Sequence, residues 1–139
     1  MNILLVVAGA LSALAALAHI GCIYFGASWY RFFGAGEQMA IMAEQGSLRP
    51  TIITSGIALV LSIWSLYAFS AAGLIGKLPL IRTALIIITA IYLLRGVAGF
   101  FFISNPLGRS PEFWFWSSAI CLSLGLLHLI GLKQQWASL

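Results

Sequence analysis

Four apolar stretches constrain this chain more than any other feature, because each is close to the ~20 residues that cross a hydrocarbon core as a helix. They lie at about 3–25, 50–72, 79–104 and 112–132. The chain is 62% hydrophobic and only 7% charged, so a core stable in water would lack the polar surface to cover it. These runs predict an all-α integral membrane protein: a four-transmembrane-helix bundle, up-down-up-down, forming one domain over residues 1–139. The segment 26–49 is the longest loop, and a short interfacial helix is expected within it at 36–46.

The helix boundaries are punctuated. Pro50, with Ser47 as a cap, opens the second span, and Pro79 is expected in the first turn of the third. Ser110-Pro111-Glu112 opens the fourth with a cap, a proline and an acid at the positive end of the helix dipole. Pro106 ends the third, since the residue before a proline is pushed out of helical geometry. The first span lacks the basic leader of a signal peptide, so it is read as an uncleaved helix. With four spans, Lys77, Arg82 and Lys133 share one side, and Arg31, Arg49 and Arg109 share the other with Glu37, Glu44 and Glu112. The basic residues tie. The short loop around Lys77 tips the expectation towards both termini being cytoplasmic, in a bacterial inner membrane.

Stripes of small and hydroxyl residues mark the expected inner faces, because such residues let membrane helices approach and hydrogen-bond. On the first span the stripe is Ala8, Ser12, Ala15, His19 and Cys22; on the second, Thr51, Ser55, Ala58, Ser62 and Ser65; on the fourth, Ser117, Cys121, Leu124 and His128. His128 is expected near a membrane face. Trp29, Trp114 and Trp116 are expected at one interface.

Arg95 interrupts the third apolar run. A guanidinium stays charged in a protein, and at mid-bilayer it costs roughly 3 kcal/mol or more unless it finds a partner, water or ligand. Ten residues before Asn105, it is expected roughly 15 Å below that end of the helix, with its side chain leaning towards its own N-terminus and so deeper. The candidate site is therefore intramembrane. Arg95 binds an anionic head, His19, Tyr92 and Ser55 add hydrogen bonds, and Glu37 or Glu44 pairs with Arg95 when the site is empty.

Other chemistries lack their patterns. There is no metal-ligand spacing, nucleophile elbow, phosphate loop or dinucleotide fingerprint. His19 and His128 are expected at different depths, which disfavours a bis-histidine haem; no cofactor is expected. The basic residues are dispersed, so nucleic acid is not an expected partner. The leading functional expectation is binding, or transport, of an amphiphilic or anionic small molecule or lipid at Arg95. An alternative is an accessory or assembly subunit whose partners, a second copy or a larger membrane complex, satisfy Arg95 and the small-residue stripes. A third is a membrane enzyme using His19 with a loop glutamate, although no sequence pattern supports catalysis.

Overall fold

The computed structural model describes residues 1–139 and is all-helical. Its elements are α1 (Ile3–Phe25), α2 (Ala27–Phe32), α3 (Glu37–Glu44), α4 (Arg49–Ala72), α5 (Ile81–Phe100) and α6 (Pro111–Gln135), with a 3₁₀ turn at Trp136–Ser138. α1, α4, α5 and α6 are long and apolar enough to cross a membrane. Most of their large aliphatic side chains face outward, including Leu14, Leu17, Leu59, Leu94 and Ile120. An apolar exterior with small residues inside inverts the pattern of a water-soluble bundle and matches that of helices packed in lipid.

Glycine and serine set the helix spacing. α1 meets α4 where Gly9 lies under the Phe69 ring, and Ser65 Oγ donates to the Gly9 carbonyl at 2.7 Å. α5 and α6 run antiparallel. Gly96 abuts the backbone of Leu122, and a Cβ there would come within 2.6 Å of the Leu122 nitrogen. Gly125 abuts Leu93 and Gly99 abuts Ser118 along the same seam. α1 reaches α6 where Leu5 packs on Gly131 and Asn2 Nδ2 donates to Gln134 Oε1 at 2.9 Å.

The ends of the helices follow local chemistry. Asn2 caps α1 by accepting from the Leu5 amide, and Ser110 caps α6 by accepting from the Phe113 amide. Ser47 Oγ accepts from the Arg49 amide at the start of α4. α4 ends on Gly73, whose φ of 87° is the left-handed closure that glycine takes without a Cβ penalty.

Three features differ from expectation. The third long helix starts at Ile81, not at Pro79, because Leu80 takes a left-handed conformation (φ 54°) and the Pro79 carbonyl accepts from Tyr67 Oη instead. The same helix ends at Phe100, four residues early. The chain then runs through turns to Pro106, whose carbonyl accepts the Trp114 indole N–H at 2.7 Å. The aromatic run after Gly26, expected as loop with Trp29 at an interface, forms the separate helix α2, and its Tyr30 hydroxyl pairs with Thr54 Oγ1 at 2.9 Å.

Candidate functional site

The early end of α5 changes the position of Arg95. It lies five residues from Phe100, so about 7.5 Å below that helix end instead of 15. Its side chain runs towards the end and not away from it, since the guanidinium passes over Gly99, where any Cβ would collide with Arg95 Nη1. Gly99 sits one turn further along the helix and leaves the groove open. The statistical lean towards the N-terminus yields to the two hydroxyls and the indole on the other side.

Those partners come from the first turns of α6. Arg95 Nη2 donates to Ser117 Oγ at 3.0 Å, and Nη1 reaches Ser118 Oγ at 3.4 Å. The guanidinium carbon lies 5.0 Å from the centre of the Trp114 ring. Trp114 is buried and fixed by its bond to Pro106, so it forms a rigid platform. A second guanidinium approaches the same indole: Arg109 lies 5.6 Å from the Trp114 ring and 5.0 Å from Phe113. Arg109 Nε donates to the Ala35 carbonyl at 3.2 Å, which ties this corner to the α2–α3 turn.

Every partner of Arg95 is neutral. The expected pairing with Glu37 or Glu44 does not occur, because both carboxylates go to Arg31, at 2.7 and 2.6 Å from its Nη2. Arg31 is far closer in the chain, and it holds the two acids from α3 in one exposed fork. Its hydrogen bond is the main reason the Glu37 carboxyl lies below its ordinary range; attraction to the charge adds to this and desolvation opposes it. The same two acids push the Arg31 guanidinium up.

The remaining candidates disperse. Tyr92 is buried, but its hydroxyl is committed to Ser12 Oγ at 2.8 Å, joining α5 to α1. His19 is half-buried and bonds the Ala15 carbonyl of its own helix through Nδ1, at 2.7 Å, and shares no hydrogen bond with Arg95 or Tyr92. Ser55 faces outward and Thr54, beside it, takes the inward position. The rest of the expected stripe holds: Ala58 and Ser65 are buried and Thr51 and Ser62 half-buried, so only Ser55 departs from it.

His128 is a further correction. It is fully buried, not interfacial, with its ring 5.2 Å from that of Tyr92 and Nδ1 bonded to the Leu124 carbonyl at 2.7 Å. A carbonyl only accepts, so Nδ1 carries the proton. His128 Nε2 and Thr89 Oγ1 are buried without a partner. An unpaired polar group in such a place costs about 1–3 kcal/mol.

Sequence reading missed Ser118, Trp114 and Arg109 as companions of Arg95. The signal was present in the hairpin. A turn centred near Asn105-Pro106 folds residues 114–118 back to the level of 95–99, and a glycine four residues after an arginine lets the guanidinium lie along its own helix.

Compared with protein-family models, curated proteins and solved structures, the chain matches none.

Proposed function

We propose that this chain is an integral protein of the bacterial inner membrane that binds an anionic amphiphile, with the headgroup on Arg95 and the apolar tail along the outer face of α5 and α6. In this reading the four long helices cross the bilayer up-down-up-down with both termini cytoplasmic, and α3 lies at the non-cytoplasmic interface. The observation that carries the proposal is the set of partners around Arg95: two hydroxyls and an indole face, with no carboxylate. A half-buried guanidinium so placed keeps most of its attraction for an anion. A charge-assisted bond to it is worth about 1.5–3 kcal/mol, roughly twice a neutral one.

The level of the site supports a headgroup over a mid-bilayer ligand. Arg95 is one and a half turns from the end of α5 and directs its charge towards that end. A lipid carboxylate or phosphate occupies that depth, and aromatic residues such as Trp114 and the exposed Trp116 favour it too. Exposed Leu94, Val97, Phe101 and Ile120 on the same hairpin give a tail an apolar surface to follow.

The test is binding of a fluorescent fatty acid to the purified protein in detergent or nanodiscs. The parent is expected to bind saturably. Arg95→Leu is expected to lose at least about tenfold in affinity while keeping its helical spectrum and its melting transition. Equal binding by parent and variant would overturn the proposal.

A further inference from the structure

We infer that the headgroup taken at this corner is a phosphomonoester and not a carboxylate, with Arg109 as its second arm; this rests on the Arg95 reading above. Two guanidiniums converge on one indole. Their central carbons lie 5.0 and 5.6 Å from the centre of the Trp114 ring, so they are separated by no more than the two distances combined, about 11 Å. Neither has a carboxylate partner. Two guanidiniums on one ring leave this corner positively charged and attractive to an anion.

The donors left over suit phosphate. Arg95 spends one N–H on Ser117 and one on Ser118, of the five it carries. Arg109 spends only Nε, on the Ala35 carbonyl, so its two terminal nitrogens remain available as a fork. A carboxylate brings one charge and two oxygens, enough for a single guanidinium. A phosphomonoester brings about −1.5 to −2 and three terminal oxygens, enough to engage both forks together.

The surroundings add positive potential. Arg109 immediately precedes Ser110, the cap of α6, so the anion would also lie beside the positive end of a 25-residue helix. Two acids lie near this corner: Glu37, next to the Gly36 that packs on Arg109, is already paired with Arg31, and Glu112 is exposed and hydrogen-bonds to neither arginine. With two guanidiniums against Glu112 alone, the corner keeps a positive charge for a ligand to meet. The arm is held in place by local backbone: Leu107 and Gly108 take left-handed conformations (φ 53° and 81°), and the Arg109 amide closes the turn on the Pro106 carbonyl at 3.1 Å.

The chemistry could be presented by a lipid headgroup or by free phosphate, and one experiment separates them. The purified protein in phosphatidylcholine nanodiscs is titrated with phosphatidic acid, with palmitate and with inorganic phosphate, read by native mass spectrometry. The parent is expected to prefer phosphatidic acid to palmitate by about tenfold or more. Arg109→Gln is expected to lower phosphatidic acid affinity by about tenfold and palmitate affinity by no more than a few-fold, so that the preference collapses. Displacement of bound phosphatidic acid by millimolar inorganic phosphate would identify the free anion as the occupant; resistance to it identifies the lipid. Palmitate bound as tightly as phosphatidic acid by the parent, or a preference that survives in Arg109→Gln, overturns this inference and leaves the Arg95 reading standing. Failure of the parent to bind either amphiphile overturns both.

Discussion

Arg31 and Arg95 place the same side chain in opposite situations. Arg31, between α2 and α3, is exposed and gathers both Glu37 and Glu44. Arg95, on α5, is half-buried and gathers only Ser117, Ser118 and the Trp114 face. In water the first arrangement gains little, since exposed ion pairs are screened and entropically costly. The second leaves a charge without a counter-charge where screening is weaker. Under the proposed reading, this difference marks the anion site. The acids that could have neutralised the half-buried guanidinium are held at the exposed one.

The sharpest way to break the contrast is to give Arg95 a carboxylate of its own. In Ser117→Asp the new acid stands where an hydroxyl now accepts from Nη2 at 3.0 Å. It should make Arg95 resemble Arg31, lowering affinity for an anionic amphiphile by roughly a hundredfold, read by titration in nanodiscs. Unchanged affinity would mean that the guanidinium is not the anchor.

A second variant moves the guanidinium without altering its charge. In Gly99→Ala the new methyl collides with Ser118 Oγ and Arg95 Nη1. Overpacking of this kind costs about 1–3 kcal/mol, measurable as a lower melting temperature. Ligand affinity should fall about tenfold as the guanidinium is displaced from α6. A methyl at Gly56, which faces open space inside α4, should leave affinity unchanged and should not lower the melting temperature.

The two sites should also differ in pH response. The Glu37 carboxyl is depressed by Arg31, so its contribution is complete above the ordinary carboxylate value of 4.5 and is lost only as pH falls through its lower folded value. The α2–α3 contact should persist through the ordinary carboxylate range and loosen below it, seen as faster amide exchange in α3. The Arg95 site offers no titrating carboxylate among its direct partners. Binding of an alkyl sulfonate, whose own charge is fixed, should be flat from about pH 5 to 8. The smallest effect is expected for Glu37→Gln, which leaves Glu44 on Arg31 and should not shift the melting temperature measurably.

Much of the scaffold was legible because its signals are local. Ser110, Pro111 and Pro50 each mark a helix start through a backbone requirement confined to a few residues. The inner face of α4 was harder to read. In a helix apolar on all sides there is no polar face to set the phase, so Ser55 and Thr54 look equally suited to face inward and only packing chooses Thr54. Arg95 was legible as a residue needing partners, but not which partners. Its direction depends on where α5 ends, and that end comes at Phe100, before the Pro106 that marks it in the sequence, with the turns beyond tied to α6 by the tertiary bond from Trp114 to Pro106. The capture of Glu37 and Glu44 likewise depends on α2, a six-residue helix with an aromatic sequence that reads equally well as a membrane belt.

Native mass spectrometry of the protein gently extracted from membranes containing anionic amphiphiles tests the central claim most directly. The parent and Arg31→Leu should each retain one anionic amphiphile per chain, and Arg95→Leu should emerge without it. A parent that emerges bare, or an Arg95→Leu variant that carries as much as the parent, would contradict the account.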